Sequence, residues 1–185
     1  MKTNVRKLFT AWDFEKEEAW INEMATNGKA LVNYSIFTYT FEDCAPGEYI
    51  YRLELLERSI KHSKSQDYLQ FMEENNIELV TSYANWSYFR KKRIDGEQFV
   101  IYSDAESRIK HYKKINTTMV ALGISNIALA IPNLLAVIIK NHGSNGHGNY
   151  YLGIINLIIG MILIIGSNSM RQSIKRLKKE MKITE

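Results

Sequence analysis

Ile115-Asn116-Thr117-Thr118-Met119-Val120-Ala121-Leu122-Gly123-Ile124-Ser125-Asn126-Ile127-Ala128-Leu129-Ala130-Ile131-Pro132-Asn133-Leu134-Leu135-Ala136-Val137-Ile138-Ile139 carries no charge over twenty-five residues. As a helix rising about 1.5 Å per residue it reaches roughly 37 Å, against a bilayer hydrocarbon core of about 30 Å. A second uncharged stretch runs from Tyr150 to Met170 and opens on two tyrosines suited to the membrane interface. Two transmembrane spans are predicted, 115–139 and 150–169. Burying both as core helices would need a surrounding shell that a chain of 185 residues is too short to build.

Orientation follows from the basic residues at the span ends. Arg108, Lys110, Lys113 and Lys114 precede the first span, and Arg171, Lys175, Arg176, Lys178, Lys179 and Lys182 follow the second, while only Lys140 lies between them. The positive-inside rule then places both termini in the cytosol of a bacterial cytoplasmic membrane, in a multi-pass arrangement. The connection from Asn141 to Asn149 reads as a short external loop; its His142 and His147, among glycines and with no Cys, Asp or Glu beside them, fit a solvated loop better than a metal site.

Within the spans, Gly123, Asn126, Ala130 and Asn133 fall on one face of the first helix, and Gly153, Asn156 and Gly160 on one face of the second. Small residues allow close backbone approach and asparagines can bond across a contact, so these faces are expected to pack against each other or another protein. A conduction path is the alternative reading of the asparagines. Pro132 predicts a kink. Beyond the second span, Met170, Ile174, Leu177 and Met181 recur at helical spacing among basic residues, describing a basic amphipathic tail over 170–185 that either lies along the inner leaflet or extends the span.

The rest of the chain differs in kind. Residues 1–104 hold 13 Lys/Arg and 17 Asp/Glu, and residues 105–185 hold 11 and 3. The basic charge therefore flanks apolar runs, as at a membrane edge, and nucleic acid is not expected as a partner. The single Cys44 excludes an internal disulfide. The N-terminal apolar stretch, Leu8 to Trp12, is too short for a signal peptide.

Residues 1–104 read as a cytosolic α+β domain. A strand is expected near Lys7 to Trp12, then a helix from Phe14 to about Asn27, capped by Asp13 and stopped by Gly28. Residues 36–41 and Tyr49 to Leu55 alternate about a Pro46-Gly47 turn, a hairpin signature. A second helix follows from Ser65 to about Asn75, then strands at Ile77–Tyr83 and Trp86–Arg93, an Asp95-Gly96 turn and a short strand at Phe99–Tyr102. The order suggests a ferredoxin-like β-α-β-β-α-β sandwich on one antiparallel sheet. Juxtamembrane helix and two-span hairpin then occupy 105–169.

Aromatic residues on or beside the expected sheet exceed what one small core absorbs, so Trp12, Tyr39, Tyr51, Trp86 and Tyr88, with Arg52, are candidates for a binding groove; division between a core and a sheet face packed on headgroups or a second subunit is the competing account. Glu48, Arg52 and Glu54 share one strand and fit a structural ion pair. There is no glycine-rich phosphate loop, histidine–carboxylate cluster or nucleophile motif, so no catalytic residues, metal or cofactor are expected.

The segments Asp13 to Ala25, Phe37 to Phe41, Pro46 to Leu53 and Trp86 to Lys91 resemble an uncharacterised bacterial membrane family, domain of unknown function family 2812, common in Firmicutes. The likeness covers roughly residues 5–105 and the plan of two following spans. Members often accompany a PadR-type transcriptional regulator, so the resemblance implies an accessory, sensing or stress-related role. Members often carry Trp after the glycine ending the first helix and Gly-Trp after the second; here Lys29 and Asn76-Ile77 stand there. The expected function is a non-enzymatic, membrane-anchored binding module that engages a protein or small ligand, with the bilayer and a protein partner or self-association as its contacts. A small subunit of a transport or permeability system is the alternative, resting on Asn126, Asn133, Asn156 and Pro132.

Overall fold

The computed structural model describes residues 1–94, 99, 101, 105–139 and 146–184. Contacts divide the chain into two units, Met1–Asp104 and Ala105–Glu185.

The first unit runs β1 (Lys2–Arg6), α1 (Phe14–Thr26), β2 (Lys29–Ser35), β3 (Thr38–Asp43), β4 (Tyr49–Leu55), α2 (Ser63–Glu74), β5 (Glu78–Tyr83) and β6 (Trp86–Lys92). Its strands form two three-stranded antiparallel sheets, ordered β1-β3-β2 and β4-β6-β5, where one sheet was expected. The first strand lies earlier than the predicted Lys7–Trp12, which instead leads into a short 3-10 turn at Ala11–Asp13. Asp13 starts α1, but its side chain bonds Thr10 and Lys16 and caps no backbone amide. The expected pairing of residues 36–41 with Tyr49–Leu55 also gives way. Gly28, at φ +76°, reverses the chain straight into β2, which takes β3 as its hairpin partner, and β4 crosses to the other sheet. The Asp95-Gly96 turn lies outside the described residues, as does half of the Phe99–Tyr102 strand, whose Phe99 and Ile101 are described and not in a strand.

The two sheets are built alike. Each half of the unit is strand, helix, strand, strand, with the last strand in the middle of its sheet. Equivalent landmarks stand 48 positions apart: Asn27-Gly28 and Asn75-Asn76 at the helix ends, Leu31-Val32 and Leu79-Val80 on the following strands, Phe41 and Phe89 on the middle strands. Gly28 and Asn76 both have positive φ, and the registers of β2 and β5 slip at Val32 and at Val80. β2 and β5 lie side by side, and the equivalent Asn33 and Thr81 meet there at 3.2 Å.

α1 packs over both sheets. Ile21 and Ala25 join Leu31, Tyr39 and Phe41 from the first sheet and Tyr51, Leu53 and Tyr88 from the second in one core. A second cluster puts Met72 of α2 with Phe89 and Phe99. Neighbours Tyr88 and Phe89 serve different clusters, as a pleated strand dictates. Burying each such large side chain contributes roughly 1.5–3 kcal/mol.

The second unit is a helical hairpin, α3 (Ala105–Ile139) and α4 (Gly146–Thr184). Both helices are long and apolar enough to cross a membrane. Their outer faces expose large apolar side chains, Ile124 by 57 % and Ile165 by 67 %, as a lipid-facing helix would and a core helix would not. Of the expected loop, 141–145 lies outside the described residues and 146–149 already belongs to α4. The basic tail forms no separate helix: it continues α4 without a break, with Met170 and Leu177 buried.

Candidate functional site

Glu17 is the most unusual polar side chain of the first unit. It sits on the inner face of α1, 8 % exposed, and its Oε1 accepts the phenol hydrogens of Tyr39 at 2.7 Å and Tyr88 at 2.6 Å. Tyr39 comes from the first sheet and Tyr88 from the second, so one carboxyl group joins the helix to both. Burial pushes the Glu17 carboxyl above the ordinary carboxylate range, with the two phenols pulling the other way. Both phenols are raised in turn, by burial and then by the neighbouring Glu17. Tyr34 packs on both rings, at 4.7 and 5.1 Å, and Trp20 stands edge-on to Tyr39 at 4.9 Å. Buried and with both donors in place, this carboxyl ties α1 to the two sheets.

The neighbouring Glu18 does a different job. Its carboxylate accepts from the Leu53 amide at 2.9 Å and from Arg52 at 3.1 Å, while Asn22, one turn on, both donates to and accepts from the Tyr51 backbone. Leu53 and Tyr51 lie on β4, the outer strand of its sheet, so α1 side chains satisfy backbone groups that an edge strand would leave open. Glu18 is likewise raised by burial, against the pull of Arg52 and the Leu53 amide.

The candidate residues fall in several places. Tyr39, Tyr51 and Tyr88 meet in the core, where the Tyr51 hydroxyl donates to the Leu31 carbonyl at 3.2 Å. Arg52 pairs with Glu18 and faces the Phe99 ring at 5.7 Å. Trp86 packs on Phe14, ring centroids 5.5 Å apart, and Trp12 is half-buried in the 3-10 turn. The six do not form one groove.

An open cleft of about 920 Å³ lies elsewhere, between the end of α2, the start of β5 and the end of β6. Leu69, Ile77, Leu79 and Ile94 give it apolar walls, with Glu73, Glu78, Lys91 and Lys92 also lining it. Glu78 is held by a two-pronged bond from Arg90, at 2.8 and 2.9 Å. Reading aromatics alone misses this cleft. The signal that could have found it is the Asn76-Ile77 pair, where the helix turns at positive φ into β5. Among the described residues no group of His, Cys, Asp and Glu is placed to hold a metal ion.

In the second unit, Gly123 and Gly160 face each other across α3 and α4. A Cβ on Gly160 would stand 2.8 Å from the Gly123 carbonyl oxygen and 2.7 Å from Ile127, and one on Gly153 would stand 3.3 Å from the Ala130 carbonyl. Within the hairpin, the amides of Asn126 and Asn133 donate to the Leu122 and Leu129 carbonyls of their own helix, each at 2.8 Å.

Residues 13–124 match a family model described as a protein of unknown function, DUF2812. The match runs from the start of α1 through both halves of the first unit and into α3. No curated protein and no solved structure matches the chain.

Proposed function

The chain belongs to the DUF2812 family, and we propose that it works there as a membrane-anchored binding module, without catalysis of its own. Its α+β unit engages a protein or an amphiphilic small ligand on the cytosolic side, while α3 and α4 hold it in a bacterial cytoplasmic membrane with both termini cytosolic. The observation that carries this reading is the cleft between α2, β5 and β6, with apolar walls and charges of both signs, the composition of a recognition site. An accessory or sensing role beside a transcriptional regulator, as the resemblance implies, fits a protein that binds and reports.

The transport reading is the weaker one. It rests on asparagines facing a path, and the amides of Asn126 and Asn133 donate to their own helix backbone.

A photo-crosslinking residue at Ile77, in the cleft, and another at exposed Ser35, on β2, test the proposal in the full chain in native membranes. The reading expects a discrete adduct from position 77 that is missing from position 35. Equal, diffuse crosslinking from both would contradict it.

A further inference from the structure

Beyond the cleft, we infer that the outer edge of β1 is a docking edge for an extended acidic segment of a partner protein, which would join the first sheet as a fourth strand. β1 and β4 are the outer strands of two sheets built alike. The chain covers β4 by turning Glu18 and Asn22 onto its backbone. Among the described residues no side chain is turned onto the β1 backbone in that way, and β1 pairs with β3 alone.

The register identifies the open groups. The Lys7 amide donates to the Phe37 carbonyl at 3.0 Å, and antiparallel pairing alternates, so Thr3 and Val5 also turn their backbone groups toward β3. Lys2, Asn4 and Arg6 therefore direct their N–H and C=O groups outward, and their side chains are exposed on the same strand. Such an edge either accepts a strand or is guarded against one. Charge selects the occupant. Lys2 is held by Glu42 at 3.2 Å, while Arg6 has no ion-pair partner among the described residues. A second copy is a poor fit, because antiparallel self-pairing about Asn4 sets Lys2 against Arg6 of the other copy. A glutamate or aspartate of the partner strand opposite Arg6 meets that unpaired cation, and one opposite Lys2 shares the ammonium with Glu42.

The test uses the full chain in lipid nanodiscs and a short blocked peptide alternating glutamate with valine, followed by residue-resolved amide exchange. The peptide is expected to slow exchange at Asn4 and Arg6 by about tenfold or more, while Thr3 and Val5, already bonded to β3, change little. The same peptide with lysine for glutamate is expected not to bind. Asn4→Pro, tolerated where the amide points outward, removes one docking donor and should weaken binding about fivefold or more with the melting temperature kept. Unchanged exchange at Asn4 and Arg6 under saturating peptide, or equal binding of the lysine peptide, would overturn the inference. Protection at these residues that rises with protein concentration alone would assign the edge to a second copy and equally overturn it.

Discussion

Glu17 is where the α+β unit is most sensitive to a single atom. Its carboxyl is raised above its ordinary value of 4.5 by burial. Below that value the group is protonated in the folded and unfolded chain alike and costs nothing. As pH rises through the raised folded value the unfolded chain sheds its proton first, so stability falls across that interval and stays lower above it. Glu17→Gln keeps an acceptor for the phenols and removes the ionisation. It is expected to flatten this part of the pH–stability profile and to raise the melting midpoint at neutral pH, followed by near-ultraviolet circular dichroism. A residual slope should remain from Glu18, which burial shifts in the same direction. Tyr88→Phe acts oppositely. It withdraws one of two donors from a buried acceptor and should cost about 1–3 kcal/mol at neutral pH, measured as a drop in the same midpoint. A variant as stable as the parent would show that the phenol is not what satisfies the carboxyl.

At the scale of the element, close helix contact is the feature open to a clean substitution. Gly160→Val puts a side chain where a Cβ already stands 2.8 Å from the Gly123 carbonyl oxygen, and a carbonyl cannot swing aside as a side chain can. The two helices are expected to separate, at a cost of about 1–3 kcal/mol, read as a lengthened distance between spin labels placed at the exposed Ile131 of α3 and Ile155 of α4. An unchanged distance would mean that the glycines are incidental. The elements also show what a sequence discloses and what it hides. Helix α1, the β5–β6 pair and both apolar helices carry strong local signals: a stop at Gly28, a turn between Tyr83 and Trp86, long uncharged runs. β2 gives none, because the register slip at Val32 breaks the alternation that would betray a strand. Without β2, β3 looks free to pair with β4, and the likeness of the two halves disappears, since the identical pairs 48 positions apart, such as Leu31/Leu79 and Phe41/Phe89, are scattered among many positions that differ. Among the site residues, the aromatic excess was legible but its partition was not: Tyr39, Tyr51 and Tyr88 went to the core because Glu17 and the Leu31 carbonyl satisfy their hydroxyls there. The cleft depends on the angle between α2 and β5, whose one local trace is the turn at Asn76-Ile77.

The whole molecule joins an α+β unit of net negative charge to a helical hairpin of net positive charge, with the positive residues gathered at one end of each apolar run. That distribution is the physical basis of the proposal that both termini are cytosolic, since moving basic clusters across a bilayer is opposed by the membrane potential and by anionic inner-leaflet lipids. The account turns on this topology, because a binding unit on the opposite side would meet different partners altogether. Cysteine scanning with a membrane-impermeant thiol reagent tests it most directly, the native Cys44 serving as the internal reference. In intact cells, Ser144→Cys is predicted to be labelled while Cys44 is labelled only after the membrane is opened. Labelling of Cys44 in intact cells with position 144 protected would reverse the orientation, and labelling of neither or both alike would contradict a hairpin that crosses the membrane twice.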